Sequence, residues 1–364
     1  MSQESESPLI SGKIRDIRQN ALTRIKKRTN NYDLNKPVSF WIKQDRLLNE
    51  IGKELTIILR TRGCKWALGD SGGCSMCGYI RDANIENVSP EQIINQFEYA
   101  LRNSIEEIKN DSLNYIVKIF NSGSFFDDSE MPKEVREHIY EKIAQIDKFK
   151  EVVVESRPEF VNQVVLDELK KNLPNKYVEI GIGLETTNDY IRTHYINKGF
   201  LYYNFKKAFE LCKANGIGVK AYLLFKPPFL TEQAAIDDCK KSIKSLLELG
   251  VNSISINPVN IQKGTLVEYL WFQNRYRPPW LYSIINCLSD SLSQPKLNET
   301  RILCDPSGAG KNRGVHNCSN RDCNKESLEM IKNFVSSQNI NELSSETNCQ
   351  CNKEYSLFLM ESNA

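Results

Sequence analysis

Short apolar segments alternate with longer amphipathic segments along the chain from about residue 55. The short segments are rich in β-branched and aromatic residues, which favour strands, and several longer ones begin with helix-entry residues such as Ser89-Pro90. The predicted strands are 55–61, 114–122, 151–156, 177–185, 218–225 and 253–260, and the predicted helices lie near 89–109, 132–148, 161–172, 203–215 and 231–249. Six successive β/α units predict an α/β fold with a parallel sheet or an open, partial barrel, since a complete TIM barrel needs eight.

The same pattern divides the chain into three regions. Residues 1–45 form an N-terminal extension with a basic helix from Arg15 to Arg28, whose charges fit either a solvated helix face or an RNA contact. Residues 46–300 hold the barrel. Residues 301–364 lose the periodicity and contain five of the eleven cysteines. Because so short a region has little core of its own, we expect a metal-stapled appendix there.

Composition narrows the class of protein. With 364 residues, of which 40% are hydrophobic and 26% charged, the chain is typical of a soluble globular protein. The polar start, MSQESESPLI, lacks an apolar signal core, and no apolar run approaches the length of a membrane span, so we expect a cytoplasmic protein with no membrane partner. Eleven cysteines in such a chain favour metal binding or redox chemistry over disulfides. A net charge of +2 confines any nucleic-acid-binding surface to a local patch.

Three cysteines, Cys64, Cys74 and Cys77, follow the first predicted strand in a glycine-rich loop without a nearby histidine or fourth cysteine. Ligand sites of α/β folds lie at the carboxyl ends of the strands, where this loop begins. Three thiolates on a four-iron cluster would leave one iron open to an exogenous ligand. The glycines of the loop, Gly78 among them, would let the backbone wrap around a bulky cofactor. Incidental reduced thiols, or a zinc site that borrows a distant ligand, are the alternatives.

These residues resemble the radical S-adenosylmethionine (SAM) superfamily, in which SAM chelates the unique iron of a [4Fe–4S] cluster. The usual spacing there is Cys-x3-Cys-x2-Cys, whereas this chain has nine residues between Cys64 and Cys74. Three strand ends, NSGSFFD (121–127), VESRPEFV (154–161) and EIGIGLET (179–186), are similar to the Elongator-catalytic-subunit-like branch. The segments GGCSMCGY and DPSGAGKNRGVHNC (305–318) resemble the RaSEA family, the radical SAM subunits of archaeosine synthase.

The resemblance implies a tRNA-modifying lyase with an electron donor. In the RaSEA family the substrate is a tRNA that carries a lysine-modified 7-deazaguanine in its D-loop, made by a lysine-transferring partner subunit, ArcS. Cleavage of a lysine carbon–nitrogen bond then leaves the archaeosine amidine. A radical suits this reaction, because an unactivated aliphatic C–H bond has no practical acid–base route. Two alternatives stay open: another radical SAM enzyme acting on a different tRNA substrate, and a non-catalytic, zinc-stapled RNA-binding protein.

Several polar residues at the predicted strand ends are candidate cofactor contacts by the same resemblance. Ser122 and Gly123 are expected near the methionyl amino group of SAM, although a plain turn explains them equally well. Glu155 and Arg157 resemble residues near SAM, with a local ion pair as the alternative. Glu185, with Glu179 on the same strand face, could meet the ribose or the lysine ammonium of the substrate, or form a structural pair. Asp127 and Asp128 are further candidates for the ammonium, and no catalytic residue is assigned.

The C-terminal region contains two close pairs of cysteines. Cys318 and Cys323 are followed about 25 residues later by Cys349 and Cys351, a pattern that resembles a tetrahedral structural zinc site. Cys304 or His316 could replace one of these ligands, and a second iron–sulfur cluster is the alternative occupant. Cys212, Cys239 and Cys287 lie in helical patterns and are expected to be core thiols.

One segment combines aromatic and basic residues. WFQNRYRPPW (271–280) places Trp271, Tyr276 and Trp280 beside Arg275 and Arg277. Its rings could stack on RNA bases, or the segment could be a packed junction between helices.

Overall fold

The computed structural model describes residues 10–26, 32–85, 87–343 and 349–361. Its centre is one eight-stranded sheet, in which the strands follow one another in chain order. The first two strands pair antiparallel, and every later neighbouring pair is parallel. The strands are β1 (Ser39–Arg46), β2 (Ile51–Ile58), β3 (Tyr115–Phe120), β4 (Phe149–Glu155), β5 (Tyr177–Glu185), β6 (Gly218–Phe225), β7 (Ser253–Pro258) and β8 (Arg301–Cys304).

Helices join each parallel strand to the next, so the predicted β/α alternation is confirmed. Strands β2 to β7 correspond to the six predicted strands, and α3, α4, α5, α7 and α8 correspond to the five predicted helices. The helices are α1 (Ser11–Lys26), α2 (Lys65–Leu68), α3 (Pro90–Asn110), α4 (Lys133–Ala144), α5 (Gln163–Asn172), α6 (Asp189–Ile191), α7 (Tyr202–Ala214), α8 (Glu232–Leu249), α9 (Leu266–Phe272), α10 (Leu281–Ser291), α11 (Gln294–Glu299), α12 (Arg321–Ser337) and α13 (Cys351–Glu361).

The strands alternate between an apolar outer face and a polar inner face. On β4, Val152 and Val154 are fully buried in the core cluster that contains residues of the surrounding helices, whereas Glu151 lies on the opposite face. Arg301 on β8 donates to Glu151 (2.7 Å), four strands away in the sheet order. Such a contact requires the sheet to curl, and the fold is therefore a partial barrel with an inner lumen.

Paired charges fill the lower end of this lumen. Arg301 also donates to Glu179 (2.6 Å), which is fully buried and accepts a second hydrogen bond from Ser253 (2.5 Å). Lys118 on β3 forms a second group of ion pairs, with Asp45 (2.7 Å) and with Glu54. Buried charges of this kind are tolerated because each has an opposite partner. Glu179, considered above for the ribose or the substrate ammonium, is thus engaged in a structural network at the end of the barrel away from the cysteine loop.

Two strands of the sheet lie outside the six predicted units. β1 belongs to the predicted N-terminal extension, and β8 belongs to the predicted C-terminal appendix. The boundary drawn at 45/46 falls within β1, the boundary at 300/301 separates β8 from β7, and α12 extends the regular structure beyond residue 300. None of the described helices is long and apolar enough to cross a membrane.

Candidate functional site

The three cysteines lie in a loop between β2 and α3, at the carboxyl end of the parallel strands. Cys64 precedes α2, and its carbonyl oxygen accepts the amides of Ala67 and Leu68 (both 3.0 Å). Cys74 and Cys77 lie in one turn, in which the amide of Cys77 donates to the carbonyl of Cys74 (3.3 Å). The nine residues between the first two cysteines thus form a short helix and a turn.

The N-terminal helix α1 holds this loop from one side. Arg18, which is 2% exposed, donates to the carbonyl oxygens of Gly72 (2.9 Å) and Cys77 (2.7 Å). Arg15 donates to the carbonyl oxygen of Asp70 (2.7 Å). The basic helix therefore uses two of its arginines to fix the backbone of the cysteine loop, which neither the solvated-face nor the RNA-contact interpretation anticipates.

Two further segments hold the loop from the barrel side. Asn197, which ends a π-helical turn after β5, donates its side-chain amide to the carbonyls of Ser71 (2.9 Å) and Gly73 (2.8 Å). The backbone of Ser75 donates to Ile196 (2.8 Å) and accepts the first amide of α9 from Leu266 (3.0 Å). The cysteine loop is thus tied to the ends of β5 and β7 as well as to α1.

Gly78 and Gly123 allow close approaches that a side chain would block. A Cβ atom at Gly78 would lie 2.6 Å from the Cβ of Gln262, in the loop before α9. A Cβ atom at Gly123 would lie 2.9 Å from the Cα of Cys64 and 2.1 Å from a carboxylate oxygen of Glu130. The loop after β3 therefore packs directly against the backbone of the first cysteine.

Glu130 supports this contact from inside the protein. Its carboxylate is 3% exposed and accepts the amides of Gly123 (2.9 Å) and Ser124 (3.1 Å) and the hydroxyl of Thr61 (2.5 Å). Burial raises the pKa of Glu130, and the hydrogen bonds that the carboxylate accepts act in the opposite direction. The acid therefore joins the ends of β2 and β3 directly behind Cys64.

Two cations lie near the thiols. Lys198 donates to Glu185 (2.6 Å), and the Arg157 guanidinium lies 5.3 Å from the centre of the Trp66 ring. Burial raises the pKa of Cys74 to about 12, whereas the positive charges of Lys198 and Arg157 favour its thiolate. Burial also acts to lower the pKa of Lys198, but the Glu185 carboxylate outweighs it, and the pKa is raised.

A cavity of about 320 Å³ opens beside Cys64. It has the size of a small-molecule site. Its walls are formed by Cys64, Lys65, Trp66, Gly123, Ser124, Asp127, Glu130, Arg157, Glu159 and Phe160. Asp127 and Arg157, both named from the sequence, thus share this cavity with the first cysteine. Asp128 is instead paired with Arg136 (2.6 Å) on α4.

Other predicted contact residues lie at the same end of the barrel and already have protein partners. The Ser122 hydroxyl donates to the carbonyl of Tyr79 (3.3 Å), and Glu185 is paired with Lys198. A β-bulge precedes Glu185, which has a positive φ of 69°. Burial raises the pKa of Glu155, whereas a hydrogen bond from Tyr222 lowers it. The structure thus brings Gly78, Ser122, Gly123, Glu155, Arg157 and Glu185 to one rim with the three cysteines.

The donor set of the loop fits a cluster better than a single ion. Among the described residues, one group of three or more Cys, His, Asp or Glu has all its ligand atoms within 4.8 Å, and it lies in the C-terminal region. At least one pair of the Cys64, Cys74 and Cys77 sulfurs therefore lies more than 4.8 Å apart, wider than the about 3.8 Å that separates thiolates on one zinc ion with bonds of about 2.3 Å. Three spread thiolates suit a four-iron cluster, which holds each ligand on a different iron.

The C-terminal group consists of Cys318, Cys323, Cys349 and Cys351. The sulfurs of Cys318 and Cys349 lie 3.9 Å apart, and those of Cys323 and Cys351 lie 3.6 Å apart. The hydroxyl of Tyr282, on α10, lies 3.1 Å from the Cys323 sulfur. These separations match a single tetrahedral ion. Neither proposed substitute belongs to the group, since Cys304 packs in the main core and His316 contacts the carbonyl of Gly314 (2.7 Å).

The aromatic and basic segment 271–280 is largely a packed junction. Tyr276 and Trp280 are 8% and 6% exposed, and Arg277 stacks on Trp280 at 3.9 Å while donating to the carbonyl of Asn317 (2.7 Å). Trp271 differs, because the Arg313 guanidinium stacks on it from outside at 4.8 Å.

Sequence reasoning missed four residues that organise the site. Each lies 46 or more residues along the chain from the nearest cysteine of the loop, so no local motif contains it; the four are Arg18, Glu130, Asn197 and Lys198. The one available signal was charge: Arg18 lies in the basic helix, and Glu130 closes an acidic run after β3.

Comparison with known proteins agrees with this geometry. The family model of the radical SAM superfamily matches residues 58–242. The chain is 40% identical to archaeosine synthase subunit beta of Methanosarcina acetivorans, over 87% of this chain and 88% of that protein. It is 39% identical to archaeosine synthase subunit beta of Thermococcus kodakarensis, over 83% and 91%. An Elp3 structure from Methanocaldococcus infernus is similar at 15% identity and a TM-score of 0.47, over 63% of this chain and 55% of that one. The chain belongs to the radical SAM superfamily and, within it, to the family of archaeosine synthase subunit beta.

Proposed function

We propose that the chain is the radical SAM subunit of an archaeosine synthase. The observation that carries this proposal is the identity of about 40% to two proteins of that name over almost their whole length. Matches that cover 87% and 83% of this chain take in most of the barrel that carries the cysteine loop.

The proposed reaction is cleavage of a lysine carbon–nitrogen bond in a lysine-modified 7-deazaguanine of the tRNA D-loop, which leaves the archaeosine amidine. When bound, the [4Fe–4S] cluster and SAM supply a radical that removes hydrogen from an unactivated carbon. Cys64, Cys74 and Cys77 would hold the cluster, and the positive charge of Arg157 would favour the thiolates of Cys64 and Cys74, with Lys198 acting on Cys74 as well. An electron donor and a lysine-transferring subunit of the ArcS type are the expected partners.

The rim around the cysteines would bind SAM. Gly123 keeps the loop after β3 close to Cys64, and the cavity beside Cys64 offers Asp127 and Arg157 as polar groups. Ser122, Glu155 and Glu185 lie on the neighbouring strand ends, with Gly78 in the cysteine loop. The ion pairs of Arg301 and Lys118 fill the lower lumen and help exclude bulk water from the reacting groups.

The C-terminal cysteines would bind zinc. Separations of 3.6 and 3.9 Å between paired sulfurs support one tetrahedral ion rather than a second cluster. Zinc would fold α13 onto the rest of the protein, since Tyr355 of α13 packs with Trp280, Tyr282 and two of the ligands in one small core. Zinc would thus staple α13 to a region whose earlier part already belongs to the barrel, because β8 lies in the sheet and Phe334 of α12 lies in the main core.

Turnover of the modified tRNA tests this function. The reconstituted, reduced protein is incubated with SAM and a tRNA that carries the lysine-modified base, and the digested nucleosides are identified by mass spectrometry. We expect archaeosine to form with the wild-type protein and not with Cys74→Ala. The proposal fails if the wild-type protein cleaves SAM but leaves this nucleoside unchanged, and a different tRNA substrate would then be indicated.

A further inference from the structure

A cationic cavity lies outside the site described above. Its volume is about 490 Å³, and it lies between α12 and the glycine-rich loop before it. Its charged lining consists of Lys311, Arg321, Lys325, Lys332 and Glu329. All four basic side chains belong to exposed residues, and the single acid lies 3.8 Å from Lys325. Even with that pair formed, the cavity keeps an excess of positive charge, in a protein whose net charge is only +2.

An aromatic face lies on α9, next to the cysteine loop. Phe272 is 68% exposed and Tyr269 is 38% exposed, while Trp271 packs on the small core that contains Cys74. Cations cap these rings: the Arg313 guanidinium lies 4.8 Å from the Trp271 ring, and the Lys13 ammonium lies 4.2 Å from the Tyr269 ring. The Arg313 guanidinium also lies 5.8 Å from the Phe272 ring, so the most exposed ring of this face lies beside a cation as well.

One loop connects the cavity to the aromatic face. Gly310 and Lys311 line the cavity, and Arg313, two residues further on, stacks on Trp271 and pairs with Glu268 of α9 (2.5 Å). The loop is fixed to the barrel rim, because the carbonyl of Arg313 accepts the amide of Ile261 (2.8 Å). The cationic cavity and the aromatic face therefore share this loop, and the first residue of α9 contacts the cysteine loop, because Leu266 donates to the carbonyl of Ser75 (3.0 Å).

We propose that the cationic cavity and the aromatic face together bind the RNA strand of the substrate, with phosphates in the cationic cavity and an unpaired base against Phe272. This inference rests on the proposed function for the identity of the RNA as a tRNA. The chemistry fits a nucleic acid, since phosphates need clustered basic residues and unstacked bases pack on aromatic faces. Lysine is depleted in protein–protein interfaces, whereas three of the four basic residues of the cavity are lysines, which favours a nucleic acid over a protein partner. A base that reacts at the rim must leave the tRNA stack, and an exposed aromatic ring offers an unstacked base a surface to pack on.

Binding of an unmodified tRNA transcript tests the surface without requiring turnover. In Lys325→Ala/Lys332→Ala, we expect weaker binding and a plot of log K against log salt whose slope is less steep by about 1.5, since each phosphate contact contributes about 0.7 to 0.9. In Phe272→Ala, we expect an affinity loss of about 5- to 100-fold, and Phe272→Trp should restore most of it, because a base can stack on either ring.

The controls separate this inference from the proposed function. Lys170→Ala/Lys171→Ala removes two exposed lysines from α5 and should leave both the affinity and the salt slope unchanged. Wild-type affinity and salt slope in both surface variants would overturn the inference, even if archaeosine forms. Variants that keep tRNA binding but no longer bind the partner subunit would also overturn it, and would assign the surface to a protein. Loss of tRNA binding in the variants while the wild type fails to form archaeosine would leave the RNA surface supported and refute the proposed function.

Discussion

The guanidinium of Arg18, in the N-terminal helix, donates a 2.7 Å hydrogen bond to the carbonyl oxygen of Cys77. Arg18 lies outside the region that matches the superfamily model, yet it fixes the last cysteine of the loop. The first gap between the cysteines is longer than the usual three residues of the superfamily, and the backbone of α1 packs against Gly72 in this gap. The lengthened loop and the added helix therefore act as one structural unit.

Removal of the Arg18 side chain should loosen the cysteine loop. Arg18→Ala breaks two hydrogen bonds from a buried charged group, at a cost of about 2–4 kcal/mol in local stability. We expect a lower iron content after reconstitution at unchanged zinc content, and faster alkylation of Cys77 by iodoacetamide in the metal-free protein. Asn20→Ala, on an exposed position of the same helix, is the matched control. Equal alkylation rates in Arg18→Ala and wild type would show that α1 does not order the loop.

Glu130 should position Cys64 through the loop after β3. Glu130→Gln keeps the shape of the side chain but places an NH2 donor against an amide or hydroxyl that donates to the carboxylate in the wild type. The unsatisfied donor should lower the free energy of unfolding by about 1–3 kcal/mol. The expected result is lower thermal stability and a changed electron paramagnetic resonance spectrum of the reduced cluster. Glu134→Gln, exposed on α4, should change neither. An unaltered spectrum together with unaltered stability in Glu130→Gln would remove this positioning role.

The metal assignment predicts that the two cysteine groups lose metal independently. Cys349→Ser should lower zinc from about one ion per chain to near zero and destabilise α13, while the iron of the cysteine loop is retained. Cys212→Ala, a buried thiol of the main core, should keep both metals. Elemental analysis of the anaerobically purified proteins measures this. Iron instead of zinc at the C-terminal group would contradict the assignment.

Asp238, on α8, should make stability fall as the pH rises. Burial raises its pKa to about 6, against a hydrogen bond from the Thr186 hydroxyl (2.8 Å). Because the folded protein binds this proton more tightly than the unfolded chain does, the stabilising contribution is present at low pH and is lost as the pH rises through about 6. Asp238→Asn does not titrate at this position. Between about pH 5 and about pH 7.5, its free energy of unfolding should therefore rise by about 1.4 kcal/mol relative to that of the wild type.

Urea unfolding at the two pH values measures the effect of Asp238. Asp237→Asn, exposed on the same helix, should show the pH dependence of the wild type. If Asp238→Asn and the wild type lose stability in parallel as the pH rises, the raised pKa of Asp238 is wrong.

The barrel could be predicted from the sequence because its strands and helices carry strong local patterns. β4 and β6 contain the apolar runs 152–154 and 221–225 between helices, as expected for strands of a parallel sheet. β1 escaped prediction because it is an edge strand whose second half, 43–46, is polar, with Lys43 and Gln44 exposed in succession. β8 has only four residues, and their burial depends on the long-range contacts of Arg301.

The site could be predicted only as far as motifs reach. Their spacing identifies the cysteines of the loop and of the C-terminal region as candidate ligands. The β/α alternation identifies the strand ends as candidate site residues. The partners of those residues depend on tertiary contacts: Glu185 pairs with Lys198 across a π-helical turn, and Glu179 binds Arg301, 122 residues away. Position on a strand face did not reveal that Glu179 and Glu185 serve opposite ends of the barrel.

Transfer of hydrogen from the substrate tests the proposed chemistry most directly. The reaction is run with tRNA in which the lysine of the modified base carries deuterium on the carbon of the carbon–nitrogen bond that is cleaved. The 5′-deoxyadenosine formed is analysed by mass spectrometry. The proposed function predicts deuterium in the 5′-deoxyadenosine of the wild-type protein, and no product from Cys64→Ala. Archaeosine formed with only unlabelled 5′-deoxyadenosine, or formed without any SAM cleavage, would contradict it.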